Sequence, residues 1–228
     1  MDVMRRVRSF VRREGRMTDG QRRMLALHWQ QYGIDWQGGR LELDQCFNRQ
    51  APHIVEIGFG MGASLALMAQ ANAGQDFLGI EVHRPGVASL LRTLAKREIG
   101  NVRVISNDAV DVLDQAIAPA SLAAIHLYFP DPWPKRRHHK RRIVQPAFID
   151  LVASRLQAGG VFHMATDWED YAHSAMAVLS ACPGLLNCAG EKIFSARPEY
   201  RPLTKFERRG QRLGHGVWDL IFERRSAG

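Results

Sequence analysis

The stretch His53-Ile54-Val55-Glu56-Ile57-Gly58-Phe59-Gly60-Met61-Gly62 decides the fold. Its first half is a short apolar run with β-branched residues, which reads as a strand. A helical window, Ala63 to Asn72, opens directly after the last glycine. A strand that breaks into a glycine-rich turn and then a helix brings backbone close to a ligand at a helix N-terminus.

Working outward, short apolar runs alternate with helical windows. Further strands are expected over Asp76 to Val82, Val102 to Ile105, Leu122 to Phe129 and Val161 to Thr166. Helices are expected over Pro85 to Lys96 and Pro146 to Leu156, the second begun by proline and closed by Gly159-Gly160. A helix from Glu169 to Leu179, a strand near Leu186 to Ile193 and a last strand from Val217 to Glu223 complete the pattern. This is an α/β chain with a mostly parallel sheet, its near-continuous apolar strands covered on both faces, ending in a hairpin-like antiparallel pair.

Before Pro52 the character differs. The first 25 residues carry eight arginines and few periodic apolar positions, and a short helix from Gly20 to Tyr32 is stopped by Gly33. Residues 1–33 are therefore expected to be a basic arm with a short helix, and residues 34–228 a single domain. No apolar run approaches the roughly 18 to 20 residues of a membrane span. Cys46, Cys182 and Cys188 have neither zinc-site spacing nor the density of a disulfide scaffold, and no signal-peptide pattern follows the first arginines, so a cytoplasmic protein is expected. No sizeable apolar stripe announces a protein partner, which favours a monomer. The net charge of +8 suits a polyanion, since neutralising phosphates releases condensed counterions.

Three successive strand ends carry acids. Glu81 stands nineteen residues after Gly62, where it can accept both hydroxyl hydrogens of an adenosine ribose, and Asp108 in Asn107-Asp108-Ala109 can take an adenine amino group. A nicotinamide cofactor is the alternative, but its fingerprint is Gly-x-Gly-x-x-Gly, whereas Gly58, Gly60 and Gly62 are evenly spaced and follow Glu56. The extra acid favours a cationic ligand, S-adenosylmethionine, with Glu56 near its methionine part. The fourth strand runs into Pro130-Asp131-Pro132-Trp133-Pro134-Lys135, a loop stiffened by three prolines.

Together with Thr204-Lys205-Phe206-Glu207, these motifs resemble those of the bacterial tRNA (guanine-N7)-methyltransferase family, from roughly Arg8 through Phe222. The resemblance implies a Rossmann-like class I methyltransferase fold with a seven-stranded sheet, S-adenosylmethionine as donor and guanine 46 of the tRNA variable loop as substrate. It places Glu56, Glu81, Asp108 and Asp131 at the cofactor, with Asp131 catalytic. Lys135, Asp167 and the segment Thr204, Lys205, Phe206 and Glu207 are placed at the substrate, and Arg137, His138, His139, Lys140, Arg141 and Arg142 at the RNA.

The residues themselves support part of this. Six of the eight side chains from Lys135 to Arg142 are permanently basic, and beside a candidate site they read as phosphate grips. Asp167 ends the fifth strand, where it serves either substrate or a helix N-cap. Thr204 to Glu207 also spells a capping box. Guanine N7 already has a free lone pair, so Asp131 need not be a strong base; compensating the charge that develops on the purine suffices. Two rivals remain open at this stage: a methyltransferase acting on a small molecule or another RNA, and a noncatalytic RNA-binding module on the same fold.

Overall fold

The computed structural model describes residues 17–203, 207 and 216–226. Helix α1 (Asp19–Tyr32) starts at a capping box in which Thr18 Oγ1 accepts from Gln21 N and Gln21 Oε1 accepts from Thr18 N. It stops at Gly33 as expected: a Cβ there would lie 2.2 Å from the Trp29 ring. A short helix α2 (Leu43–Phe47), not foreseen from the sequence, leads to strand β1 (His53–Ile57).

The alternation then proceeds through α3 (Ala63–Ala71), β2 (Asp76–Ile80), α4 (Arg84–Lys96), β3 (Val102–Ile105), α5 (Ala109–Gln115) and β4 (Leu122–Tyr128). A 3-10 turn (Arg136–Arg141), α6 (Pro146–Arg155), β5 (Leu156–Thr166), α7 (Glu169–Ser180), β6 (Leu185–Asn187) and β7 (Trp218–Arg224) complete it. The seven strands form one sheet in the order β3-β2-β1-β4-β5-β7-β6. The first five in that order pair in parallel; β7 is antiparallel to both β5 and β6.

Strands β1 and β2 are buried at every position because helices cover both faces. On one face Tyr32 of α1, Leu65 and Met68 of α3, and Leu90 and Leu94 of α4 pack on Phe77, Val102 and Val104. On the other, α5, α6 and α7 contribute Leu113, Phe148, Val152, Tyr171 and Leu179 against Val55, Leu78, Ile125 and Phe162. Each such fully buried leucine or phenylalanine contributes roughly 1.5–3 kcal/mol by leaving water.

Two expectations need correction. Gly159-Gly160 does not close a helix: α6 ends at Arg155, and β5 begins at Leu156 and passes through the glycines. The reason is crowding, since a Cβ on Gly160 would sit 2.8 Å from the Leu122 carbonyl at the irregularity where β4 and β5 change register. The strand expected to reach Ile193 is only Leu185–Asn187. Helix α5 was not expected; Asp108 caps it, accepting from Val110 N at 3.0 Å. Among the described residues no helix is long and apolar enough to cross a membrane.

Candidate active site

The strand order reverses direction around β1, and the C-terminal ends of β1, β2, β3 and β4 surround one cleft. Such a switch point leaves a crevice that no connection fills, which is where open α/β sheets take ligands. Its walls include Gly58, Glu81, Asn107, Asp108, Phe129, Pro130 and Asp131, over a floor of Ile57, Ile80, Leu127 and Ile143. The fold thus brings three of the four expected cofactor acids, Glu81, Asp108 and Asp131, to one cavity.

Glu81 also braces the glycine turn. Its Oε2 accepts from Gly60 N and its Oε1 from His83 N, both at 2.8 Å, so one carboxylate ties the β1–α3 turn to the start of α4. A carboxylate has about four acceptor sites, which leaves two for a ligand hydroxyl pair. Gly58, Gly60 and Gly62 all have φ between 57° and 76°, a region that favours glycine. At Gly62 a Cβ would also meet Leu90 at 2.6 Å, whereas Gly58 and Gly60 border open space.

Glu56 is placed differently from the other acids. It does not line the cleft but lies within β1 at 2% exposure, and its Oε2 has no hydrogen-bond partner. Burial, reinforced by the charge of Glu81, raises its pKa to about 8. A buried carboxyl with one unpartnered oxygen and the Glu81 carboxylate nearby fits a cationic ligand such as the sulfonium and ammonium of S-adenosylmethionine, and Gly58 and Gly60 leave room for it.

The loop after β4 is framed by two residues with positive φ, Phe129 at 52° and Trp133 at 46°, held between prolines. Non-glycine residues in this region persist where surrounding structure enforces them, and they concentrate at functional sites. Asp131 is exposed on the cleft rim. Phe129 N donates to Ala165 O at 2.8 Å, anchoring the loop to β5.

The basic run that follows is not uniform. Lys135, Arg136, Arg137 and Lys140 are exposed. Arg141 stacks over the Trp133 ring at 5.0 Å, and His138 meets the same ring edge-on at 5.9 Å. Desolvation and the charges of Arg137, Arg141, Lys135 and Lys140 hold the His138 pKa below its ordinary value, so at neutral pH it does not add to the positive field.

Arg142 sits differently from the exposed cations of the run: its side chain is 2% exposed. Its Nε donates to the Pro132 carbonyl at 2.9 Å, its Nη2 donates to Asp170 and to His139 Nε2, and its guanidinium covers the Tyr171 ring at 4.8 Å. Nothing in the run Lys135 to Arg142 distinguishes this arginine from its neighbours, because its partners lie in the preceding loop and on α7.

Asp167 is exposed just past β5, outside the cleft lining, and it does not cap α7; Thr166 Oγ1 accepts from Trp168 N instead. Thr204, Lys205 and Phe206 lie outside the described residues. Glu207, expected at the substrate, is 3% exposed, and its Oε1 pairs with Arg201 Nη1 at 2.7 Å. Arg201 also binds Asp219 through both carboxylate oxygens, at 2.7 and 2.9 Å, and Asp219 meets His163 Nε2 at 2.7 Å. Burial alone would raise the Asp219 pKa, but the bonds from His163 and Arg201 bring it below the ordinary value. This buried group, assembled from β5, β7 and the segment before it, had no sequence signal.

The family model described as a putative methyltransferase matches residues 50–220. The tRNA (guanine-N(7)-)-methyltransferase of Alcanivorax borkumensis is 55% identical over 224 residues, covering 98% of this chain and 94% of that protein. That of Pseudomonas aeruginosa is 57% identical, covering 97% and 91%.

The chain belongs to the tRNA (guanine-N(7)-)-methyltransferase family.

Members of this family share the architecture of more distant methyltransferases. The crystal structure of the 16S rRNA methyltransferase KamB matches with a TM-score of 0.58 at 15% identity, over 81% of this chain and 93% of that one. An rRNA methylase from Streptococcus thermophilus matches with a TM-score of 0.52 at 12% identity, over 77% and 88%. At such identity the likeness speaks for the fold, which is that of class I S-adenosylmethionine-dependent methyltransferases.

Proposed function

We propose that this protein transfers a methyl group from S-adenosylmethionine to N7 of guanine 46 in the tRNA variable loop, acting as a single chain in the cytoplasm. The observation that carries the reading is the meeting of Glu81, Asp108 and Asp131 around one cleft whose lining includes Ile143, just past the basic turn. S-adenosylmethionine supplies an electrophilic methyl on a sulfonium.

The chain's residues bind, orient and compensate charge. Glu81 accepts from the ribose hydroxyls while its amide bonds keep the glycine turn in place. Asp108 keeps one oxygen for the cap of α5 and offers the other to the adenine amino group. Glu56, protonated at neutral pH in the ligand-free chain, would supply negative charge toward the methionine end by losing that proton when the cationic donor binds. Asp131 faces the purine and offsets the positive charge that develops as N7 is alkylated, or accepts from guanine N1 and its amino group, with no proton to abstract from N7. Exposed Lys135, Arg136, Arg137 and Lys140 grip phosphates, which positions the tRNA without reading its bases.

Incubation with methyl-labelled S-adenosylmethionine and unmodified tRNA transcript, followed by N7-dependent chain cleavage, tests the reading. A single cleavage at guanine 46 is expected. Label at another atom or on another RNA points to a different methyltransferase, and binding without transfer points to a noncatalytic module.

A further inference from the structure

We propose that Arg142 is a positioning residue: it clamps the loop that carries Asp131 to the start of α7, and it does not touch RNA phosphate. The proposal rests on the reading of Asp131 as part of the methyl-transfer site. Four observations converge on it. The guanidinium is buried within a run of mostly exposed cations, so reaching a phosphate would require leaving all its present partners. Its Nε bond goes to the carbonyl of Pro132, the residue next to Asp131. Its Nη2 bonds reach Asp170, three residues past Asp167, and His139 on the 3-10 turn. Its face lies on Tyr171, whose hydroxyl accepts from Val144 N at 3.3 Å and whose pKa is pushed up to about 12 by burial, with the Asp131 charge adding a lesser upward push.

The physical need is clear from the loop itself. The loop's three prolines have no N–H to donate, so beyond the Phe129–Ala165 bond at its start the loop relies on side-chain bonds such as that from Arg142 to the Pro132 carbonyl to hold Asp131 in place. A planar guanidinium presents several donors in fixed directions, which lets it join loop, turn and helix at once; an ammonium is a point donor on a flexible stem. The Arg142 bond also holds the Asp170 carboxyl below its ordinary pKa, so this carboxylate stays ionised at neutral pH.

Two variants test the clamp. Arg142→Lys keeps the charge but loses the fork; Asp170→Asn weakens the clamp from its exposed end, where the side chain is 63% exposed and the amide oxygen still accepts from the guanidinium while the ion pair is lost. In both, amide exchange of a peptide spanning Asp131 to Lys135 is expected to rise above wild type while the Gly58 to Gly62 peptide is unchanged. With saturating donor and tRNA, kcat is expected to fall about tenfold, since small misplacements of reacting groups cost this much or more. KM for tRNA and the salt dependence of binding are expected to stay as in wild type. Arg137→Ala and Lys140→Ala serve as contrast, each lowering the slope of log affinity against log salt by roughly 0.7–0.9.

The proposal is overturned if Arg142→Lys leaves loop exchange unchanged, or if it raises KM for tRNA with kcat intact, as loss of a forked phosphate contact would. Should Arg142→Lys fail to fold, Asp170→Asn decides alone by the same readouts. Should the wild-type protein not methylate tRNA at all, the functional reading falls, and the exchange measurement still decides whether the clamp exists.

Discussion

The two halves of the cleft are built on different principles. The donor half, from Gly58 through Glu81 to Asp108, is made of strand ends and helix starts whose backbone bonds already fix them, with Glu81 bonding two amides across adjacent turns. The acceptor half, from Phe129 to Arg142, is a proline-rich loop and a 3-10 turn that lack a ladder of their own and are held by side chains, above all Arg142. The difference teaches where sensitivity lies. Changes in the donor half should show in ligand affinity and stability, and changes in the acceptor half in turnover.

The sharpest way to break this division is at Asp131. Asp131→Asn is expected to lower kcat about a hundredfold at saturating substrates, the scale seen when one electrostatic stabiliser of a transition state is removed. If turnover is instead retained, charge compensation by Asp131 is wrong. A smaller effect of a different kind is expected at Glu81. Glu81→Gln leaves one acceptor oxygen for the two amides, and donor affinity measured by titration calorimetry should weaken roughly tenfold, the scale of one hydrogen bond to a charged group. An unchanged affinity would remove Glu81 from the site.

A further expected effect concerns stability and pH rather than affinity or rate. Glu56 keeps its proton up to about 8 in the folded chain, against an ordinary 4.5. Between those values the unfolded chain has released the proton and the folded chain has not, so stability of the ligand-free protein falls as pH rises through that window. Thermal midpoints of Glu56→Gln should lack this part of the decline. Parallel profiles for variant and wild type would place the pH dependence elsewhere.

The donor half was legible because its information is local. A strand, three glycines and acids at successive strand ends lie in short segments whose spacing reports directly on turn and sheet edge, and His53 to Gly62 folded as read. The acceptor half was legible only as a family motif and a charge run. Charge is additive along a sequence, so Arg142 looked like Arg137 until packing separated them. Glu207 likewise read as a substrate contact or a helix cap, because its partners Arg201 and, through it, Asp219 come from elements that meet only when β7 enters the sheet. Gly159-Gly160 looked like a helix stop since glycine has that use in a local view; the close approach to the Leu122 carbonyl is a cross-strand fact.

The sequence by itself determined the parallel α/β order, the glycine turn and the strand-end acids, set by periodicity and short-range stereochemistry, and its motifs carried the family resemblance. Tertiary structure alone decided which charges face solvent and which are buried in pairs. Burying a charge depends on partners brought from distant segments, and no local pattern encodes their arrival.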